Sequence, residues 1–265
     1  MTALRARLRD GGPLVGTVLS LQSAPLAELA ATPFDLVWLD LEHGALDLAG
    51  IQDAAIGAQA AGAAVAVRLP RWDWDRLAGV LDAGVDGVVA PAVESAAQAA
   101  ALCARLRHPP AGARGFGPRR AGGYGRVARF WSSPEAKPAC LVQIETLAGV
   151  DAAPEIARVA GVDALVLGCA DLSLALGRPQ ELDSPLLREA AAAVHSAARG
   201  ARVAFGVAGG GPPAALAALA GPGAGLLVYS CDVRLYARAV DQAAAGVRAA
   251  LADATQAHPA EAARA

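Results

Sequence analysis

Eight short apolar segments, each followed by a longer stretch of helical period, are the sequence feature that most constrains the fold of this chain. Continuous runs of Val, Leu and Ile are typical of parallel strands that are buried on both faces. We therefore predict eight strands, at residues 14–21, 36–41, 64–69, 87–91, 140–144, 164–168, 203–207 and 225–229.

Helical segments rich in Ala, Leu and Arg follow these strands in regular order. We predict helices at residues 25–31, 47–61, 73–83, 95–107, 148–159, 184–198, 213–220 and 232–252. Repeated strand–helix units with short connections favour an α/β fold, and eight units are enough to close a (β/α)8 TIM barrel of about 250 residues. A doubly wound open sheet is the alternative, although no Gly-x-Gly-x-x-Gly motif follows the first strand.

A single domain accounts for most of the 265 residues. We assign residues 1–252 to the barrel and predict a disordered tail at residues 253–265, which are polar and rich in alanine. The Gly- and Arg-rich segment 108–138 interrupts the regular order between the fourth helix and the fifth strand. Connections of this length are usually functional or belong to an interface.

The composition predicts a soluble, cytoplasmic protein that binds neither nucleic acid nor a membrane. The net charge of −2 gives no electrostatic reason for a nucleic-acid partner. No apolar stretch reaches the roughly 20 residues of a membrane span, and the first residues lack the apolar core of a secretory signal. The spacings of Cys103, Cys140, Cys169 and Cys231 match no zinc site, so we expect free and mostly buried thiols.

Polar side chains stand at the predicted carboxyl ends of four strands, which is where TIM-barrel active sites are built. They are Asp40, Glu42 and His43 after the second strand, Arg68 in the third, Gln143 and Glu145 at the fifth, and Asp171 after the sixth. We expect these side chains to converge on one face of the barrel.

Two of these carboxylates are candidate metal ligands. Glu145 follows the apolar run of the fifth strand, and Asp171 follows the sixth. A carboxylate at the end of a buried strand is costly unless it is paired or bound to a metal. Two carboxylates completed by water suit a hard divalent ion such as Mg²⁺ or Mn²⁺. The alternative for Asp171 is an N-cap of the short segment 172–176.

A histidine and an arginine complete the set of candidate catalytic groups. His43 stands three residues after Asp40, which could orient its imidazole as a general base. Arg68 ends an apolar run, so its guanidinium must find an anion and could stabilise a developing enolate. The alternative for Arg68 is a salt bridge to Glu42 or Asp82.

The single lysine of the chain bears on the mechanism. Aldolases that work through a Schiff base need a lysine in the pocket. Lys137 lies before the fifth strand, at the wrong end of the predicted barrel. The sequence therefore favours metal stabilisation of an enolate over a Schiff base.

Six blocks of sequence occur in an order that is found in a known family. They are Asp40-Leu41-Glu42-His43-Gly44, Val67-Arg68-Leu69-Pro70, Leu81-Asp82-Ala83-Gly84, Pro109-Pro110-Ala111-Gly112-Ala113-Arg114-Gly115, Val142-Gln143-Ile144-Glu145-Thr146 and Gly168-Cys169-Ala170-Asp171-Leu172-Ser173. Over residues 15–239 the chain resembles the HpcH/HpaI aldolase family. It looks most similar to the 4-hydroxy-2-oxoheptanedioate (2-keto-3-deoxy-sugar acid) aldolase branch, through residues 114–121.

This resemblance implies a class II pyruvate aldolase, a lyase that reversibly cleaves 4-hydroxy-2-oxoacids to pyruvate and an aldehyde. The metal carboxylates of the family fall on Glu145 and Asp171, which would hold Mg²⁺, Mn²⁺ or Co²⁺. Its enolate-stabilising arginine falls on Arg68. Its catalytic histidine falls on His43, with Asp40 as the acidic partner, and would move the proton of the 4-hydroxyl group.

The resemblance also implies substrate contacts and an assembly. Gln143 would lie beside the metal, and Gly168, Ala170 and Asp171 would bind substrate, with the amides of the last two receiving the pyruvate carboxylate. Cys169 departs from the family, because many members have proline there. The enzymes that the chain resembles form homo-oligomers, hexamers of swapped dimers, with the last helix docked on a neighbour, and helix 232–252 is long and apolar enough for this.

Other functions stay open on the sequence. One is a CoA-thioester lyase of the citrate-lyase β type, against which the block 109–115 argues. Another is a non-catalytic barrel that binds 2-oxoacids, against which the complete set of site residues argues. Arg119, Arg120 and Arg126 suggest an acidic acceptor aldehyde, although solvated charges or contacts between subunits explain them equally well.

Overall fold

Eight parallel strands close into a barrel, so the predicted (β/α)8 fold is confirmed. The computed structural model describes residues 4–10, 12–71, 74–133 and 137–257. Each strand pairs with the next along the chain, and the last pairs with the first. The strands are β1 (Leu14–Leu19), β2 (Leu36–Asp40), β3 (Ala64–Arg68), β4 (Gly87–Ala90), β5 (Ala139–Ile144), β6 (Ala164–Gly168), β7 (Ala204–Gly209) and β8 (Leu226–Cys231).

Helices surround the barrel in the predicted order. They are α1 (Leu4–Asp10), α2 (Ala24–Ala31), α3 (Leu48–Ala60), α4 (Leu77–Asp82), α5 (Ala96–Leu106), α6 (Leu147–Ala157), α7 (Cys169–Ala175), α8 (Pro185–Ala201), α9 (Pro213–Ala220) and α10 (Asp232–Ala257). The side chains of Ser23, Asp47, Ser95 and Thr146 each accept a hydrogen bond from a first-turn amide, which fixes where four of these helices begin.

The structure differs from the sequence prediction at a few ends. The helix predicted from residue 73 begins at Leu77, and residue 73 lies outside the described residues. The last helix continues to Ala257, five residues into the predicted tail. Residues 258–265 lie outside the described residues, so the disorder predicted there stays a prediction.

The period-two alternation of the strands decides which side chains point into the barrel. In β2, Leu36 and Trp38 belong to the interior cluster, whereas Val37 and Leu39 pack against the surrounding helices. Successive strand residues face opposite sides of a sheet, so the next inward position is Asp40. The strand ends therefore carry polar groups on the inner face, directly above an apolar barrel core.

The first helix closes the amino-terminal end of the barrel. Leu4 and Leu8 of α1 are buried in the interior cluster. Arg5 anchors the helix, because its Nε lies 2.9 Å from the Oδ1 of Asp163, which directly precedes β6. The sequence missed α1 because a segment of seven residues is too short to show a helical period. Its position leaves the carboxyl end of the barrel as the open end.

The long connection between α5 and β5 lies at the amino-terminal end of the barrel. It contains two short 3-10 helices, Arg120–Gly125 and Phe130–Ser132. Arg120 donates hydrogen bonds to the carbonyl oxygens of Ala83 (2.9 Å) and Gly84 (3.3 Å), just before β4. This placement contradicts a role for Arg120 in binding an aldehyde within its own subunit. An interface role for the segment stays a prediction.

The cysteines and the helices bear on two predictions that were made from the composition. All four cysteines are free, and three of them are buried, as predicted. None of the helices in the described part of the chain is both long and apolar enough to span a bilayer. The cytoplasmic location stays a prediction.

Candidate active site

A cavity of about 420 Å³ opens at the carboxyl ends of the strands. Seven of the predicted site residues line it, namely Asp40, His43, Arg68, Gln143, Gly168, Ala170 and Asp171. Glu145 is buried and contacts the cavity wall through Gln143, whose Nε2 donates to its Oε2 at 2.5 Å. The fold therefore brings together the residues that the sequence singled out.

Asp40 and Arg68 form an ion pair across neighbouring strands. They stand opposite each other in the register of β2 and β3. The Nε of Arg68 donates to Oδ1 of Asp40 at 2.8 Å, and its Nη2 donates to Oδ2 at 2.5 Å. Glu42 adds a second contact, with its Oε2 3.3 Å from Nη1 of Arg68. The predicted alternative of a salt bridge to Glu42 is thus present together with the pair to Asp40.

Burial and ion pairing have opposite effects on the pKa values of Asp40 and Arg68. Burial raises the pKa of Asp40, but the hydrogen bonds and charge of Arg68 outweigh it and hold that pKa below its ordinary value. Burial lowers the pKa of Arg68, but Asp40, Glu42 and Glu145 raise it above its ordinary value. The guanidinium is therefore a permanent cation, fixed in direction by a two-point contact.

His43 stands on a tight turn that follows β2. A Cβ atom at Gly44 would lie 2.1 Å from the carbonyl oxygen of Asp40, so this turn requires glycine. The Oδ1 of Asp40 accepts from the backbone N–H groups of Glu42 (3.0 Å) and His43 (3.4 Å). Among the described residues the imidazole has no hydrogen-bond partner. Asp40 therefore orients Arg68 and the turn, not the imidazole, which corrects the predicted pairing.

Glu145 carries an unusually basic carboxyl group. Its Oε1 accepts from the backbone N–H of Ala92 at 2.8 Å, and its Oε2 accepts from Gln143. Burial, followed by the charges of Asp171 and Glu42, raises its pKa from 4.5 to about 7. The three carboxylates are thus close enough to repel one another.

The backbone around β6 leaves space for these side chains. A Cβ atom at Gly168 would lie 2.6 Å from both the Nε2 of Gln143 and the Oε2 of Glu145. Helix α7 begins directly afterwards, with Gly168 as its N-cap. Ala170 and Asp171 lie in its first turn, where N–H groups have no acceptor within the helix. The suggestion that Asp171 is itself an N-cap is wrong, because Asp171 lies inside the helix.

The residues present fit a divalent cation held by two carboxylates. Among the described residues no group of three or more His, Cys, Asp or Glu side chains forms a metal cluster. However, the carboxylates of Glu145, Asp171 and Glu42 repel one another. A bound cation would reduce this repulsion. The buried Oε1 of Gln143 also lacks a hydrogen-bond partner among the described residues.

Neither Cys169 nor Lys137 has the chemistry of a nucleophile. Cys169 is buried at the first position of α7, and burial raises its pKa to about 12. The first helical position also tolerates proline, which is the residue that the resemblance implied there. Lys137 is exposed and stands two residues before β5, at the end of the barrel opposite the cavity.

Other cavity residues did not emerge from the sequence. Trp38, Ser230 and Arg234 also line the cavity. Ser230, the last but one residue of β8, has a left-handed φ of 56° and lies next to an irregular register between β8 and β1. Applying the strand-end rule to the eighth strand would have found Ser230 and Arg234.

The fold and the site define a TIM-barrel enzyme with an acidic, arginine-containing centre at its open end. A family model described as HpcH/HpaI aldolase/citrate lyase matches residues 18–209. The chain therefore belongs to the HpcH/HpaI aldolase/citrate lyase family. The predictions of the family and of an aldolase are confirmed. These enzymes are class II aldolases, which generally depend on a divalent metal.

Individual relatives agree with this assignment. The 4-hydroxy-2-oxovalerate aldolase of Novosphingobium aromaticivorans is 38% identical over 180 residues, which cover 67% of this chain and 68% of the relative. The 2-keto-3-deoxy-L-rhamnonate aldolase of Escherichia coli O9:H4 (strain HS) is 30% identical over 241 residues, 90% of each chain. The crystal structure of a family protein from Burkholderia cenocepacia J2315 is 34% identical, with a TM-score of 0.86 over 92% of this chain and 98% of that one.

Proposed function

We propose that the chain is a divalent-metal-dependent pyruvate aldolase that reversibly cleaves 4-hydroxy-2-oxoacids to pyruvate and an aldehyde. The proposal rests most directly on Arg68. Asp40 fixes its guanidinium by two hydrogen bonds, and the carboxylates of Glu42 and Glu145 lie close enough to raise its pKa. The similarity to a 4-hydroxy-2-oxovalerate aldolase and a 2-keto-3-deoxy-L-rhamnonate aldolase supports the substrate class.

Glu145 and Asp171 would hold the metal ion, which is Mg²⁺, Mn²⁺ or Co²⁺ in this proposal. Oxygen ligands of this kind suit hard divalent ions. When bound, such an ion supplies a Lewis acid that polarises a 2-oxo group and favours the enolate form of pyruvate. Gln143 keeps Glu145 in place by its hydrogen bond and lines the same cavity.

The residues of the chain account for substrate binding and charge stabilisation. The first-turn amides of Ala170 and Asp171 receive the substrate carboxylate, because N–H groups at a helix start attract anions. Arg68 stabilises the negative charge that develops on the 2-oxo oxygen. Because Asp40 already fixes the guanidinium, this stabilisation needs little reorganisation during the reaction.

His43 is the proposed acid–base group. In the cleavage direction it accepts the proton of the 4-hydroxyl group. The bond between C3 and C4 then breaks, its electron pair moves to C3 to form the pyruvate enolate, and C4 leaves as the aldehyde. The protonated imidazole, directly or by exchange with solvent, returns a proton to C3, which completes pyruvate and restores neutral His43. The exposure of His43 on its turn gives the imidazole access to the cavity and to solvent.

A pyruvate-release assay coupled to lactate dehydrogenase tests the proposal. Over a series of 4-hydroxy-2-oxoacids, we expect activity that a chelator abolishes and that Mn²⁺, Co²⁺ or Mg²⁺ restores. Full activity in chelator, with loss on treatment with borohydride and pyruvate, would indicate a Schiff base and contradict the proposal. Cleavage of CoA thioesters alone would favour the citrate-lyase type, and binding of 2-oxoacids without turnover would favour a non-catalytic barrel.

We also propose that the protein is a homo-oligomer, a hexamer whose last helix docks on a neighbouring subunit. Helix α10 is 26 residues long, and the exposed apolar side chains on it suit burial against another chain. Those side chains are Val233, Tyr236, Val240, Val247 and Leu251. Light scattering after size exclusion would measure the assembly directly, and a monomer at micromolar concentration would contradict it.

A further inference from the structure

Arg234 lies at the rim of the cavity without a partner of its own. It belongs to the first turn of α10 and is exposed. Within the described part of the chain, no hydrogen bond or ion pair involves its guanidinium. Arg68, the other arginine of this cavity, is fully paired with Asp40 and Glu42. Arg234 is therefore the cationic side chain whose charge stays available to a ligand.

The backbone holds Arg234 firmly in this place. Asp232 is buried, and its carboxylate accepts hydrogen bonds from Ser20 N (2.9 Å), Ser20 Oγ (2.7 Å) and Leu21 N (2.8 Å). These bonds tie the start of α10 to the segment after β1. The strained backbone at Ser230 immediately precedes this anchor, and strain of this kind concentrates at functional sites.

A side cavity of about 290 Å³ continues from the main one past Arg234. The two cavities share Cys169, Ala170, Gly210 and Arg234 as lining residues. The side chain of Arg234 passes directly over Gly210, because a Cβ atom there would lie 2.7 Å from its Nη1. The rest of the side cavity is mainly apolar, with Leu174, Pro179, Gln180, Leu182 and Gly211.

The arrangement fits a ligand with an apolar body and one anionic end. An unpaired guanidinium can bind a carboxylate through two parallel hydrogen bonds. The side cavity begins at Ala170, next to the residues that would bind pyruvate. A substrate chain that extends from the reacting carbon into the side cavity would pass Arg234, which lines both cavities.

Resting on the proposed aldolase function, we propose that Arg234 determines specificity for the acceptor and binds the carboxylate of an acidic aldehyde. The sequence suggested this role for arginines of segment 108–138. Arg234, unlike that segment, lies at the carboxyl ends of the strands, where the cavity opens. Neutral aldehydes use the same cavity but gain no such contact.

The test compares an acidic aldehyde with neutral aldehydes of similar length. Steady-state addition of pyruvate to succinic semialdehyde, butanal and pentanal gives kcat/KM for each, in the metal-loaded enzyme. In Arg234→Gln we expect the acidic-to-neutral ratio of kcat/KM to fall about tenfold, mainly through KM of the acidic aldehyde, as for loss of one charge-assisted contact. Arg234→Lys keeps the charge and should retain part of the ratio.

Arg238 offers a matched control one helical turn further along. Its Nη1 lies 3.2 Å from the hydroxyl of Tyr229, so it has a partner within the protein. Arg238→Gln removes the same charge from the same helix, and the ratio should stay at the wild-type value. An equal fall in both variants would indicate a general electrostatic effect and overturn the specific role.

Two further results would overturn the inference. One is an unchanged ratio in Arg234→Gln while the wild-type enzyme adds pyruvate to both kinds of aldehyde. The other is a raised KM for pyruvate with every aldehyde, which would place Arg234 at the donor site. No addition to any aldehyde by the wild-type enzyme would instead contradict the proposed aldolase function, so the two failures are distinguishable.

Discussion

Arg68 and Asp40 form two hydrogen bonds, of 2.8 and 2.5 Å, from directly opposed positions of neighbouring strands. Both side chains are largely buried, with 11% and 4% of their surface exposed. The carboxylate of Asp40 is thereby committed to the arginine and to two backbone amides. Asp40 therefore positions Arg68, and the proposed acid–base role of His43 does not depend on a hydrogen bond from its imidazole to Asp40.

Kinetics of double mutants should show whether Asp40 is coupled to Arg68 or to His43. We expect Asp40→Asn and Arg68→Ala each to lower kcat roughly 100-fold, as for loss of a preorganised charge contact. Their combination should be little worse than the worse single variant, because residues in one ion pair are strongly coupled. His43→Ala combined with Asp40→Asn should instead multiply the two losses. Multiplicative losses for Asp40 with Arg68, and strong coupling of Asp40 with His43, would contradict this assignment.

Substitution of Gly168 should damage the proposed metal site by displacing Gln143 and Glu145. In Gly168→Ala the new methyl group would meet both Gln143 and Glu145 at 2.6 Å, so both must move. We expect metal affinity, measured by titration calorimetry, to fall roughly 10–100-fold, as when the groups that orient a ligand are disturbed. Gly200→Ala is the control, because nothing lies within 4 Å of that position. Unchanged affinity in Gly168→Ala would argue against Glu145 as a ligand.

Metal binding should release a proton from Glu145 in a defined pH range. With its pKa raised to about 7, the carboxyl group of the metal-free protein is mainly protonated at pH 6 and ionised at pH 8.5. A cation binds the ionised form, so release should approach one proton at about pH 6 and vanish at about pH 8.5. Calorimetry in two buffers of different ionisation enthalpy measures it. No proton release at pH 6 would contradict the predicted linkage.

The same pKa predicts how the stability of the metal-free protein depends on pH. The native state holds the proton of Glu145 up to about pH 7, whereas the unfolded chain loses it near 4.5. The native state therefore binds more protons between these values, and the free energy of unfolding falls as the pH rises through this window. Urea unfolding of wild type and Glu145→Gln should show a steeper fall in the wild type, with a difference on the order of a few kcal/mol. Parallel pH profiles for the two proteins would contradict it.

The ion pair of Asp163 and Arg5, at the amino-terminal end of the barrel, should affect the stability of the protein and not its activity. The carboxylate of Asp163 is 1% exposed, contacts Arg5 at 2.9 Å, and accepts the backbone N–H of Cys140 at 3.0 Å. We expect Asp163→Ala to lower the free energy of unfolding by about 3–5 kcal/mol, because buried partners lose their counter-charge. Asp35→Ala removes an exposed bridge to Arg7 and should cost about 1 kcal/mol or less. Similar losses in both variants, by urea unfolding, would contradict the reasoning.

Much of the barrel could be predicted because its strands are buried on both faces. Their apolar runs are visible in the sequence, and β6 was predicted with the bounds that the structure shows. The short helix α1 was not predicted, since its seven residues are fewer than a clear helical period needs. Helix α7, also seven residues long, was considered only as a segment 172–176 with Asp171 as its possible N-cap. The long segment 108–138 was recognised as unusual, and its place between the fourth helix and the fifth strand already puts its two ends at the amino-terminal end of the barrel. Its contacts, such as those of Arg120 with Ala83 and Gly84, could not be predicted, because they join segments that are remote in the chain.

The sequence by itself determined the barrel and the identity of the inward-facing polar groups, because alternation along a strand is a property of the local backbone. Only the tertiary structure decided how those groups are paired. The carboxylate of Asp40 pairs with Arg68, 28 residues away in the chain. The raised pKa of Glu145 results from burial and from the charges of Asp171 and Glu42. Pairing and burial depend on distances between segments that are remote in the chain. The strand-end rule could have pointed to Arg234, but only the tertiary structure decided that its guanidinium lines the cavity without a protein partner among the described residues.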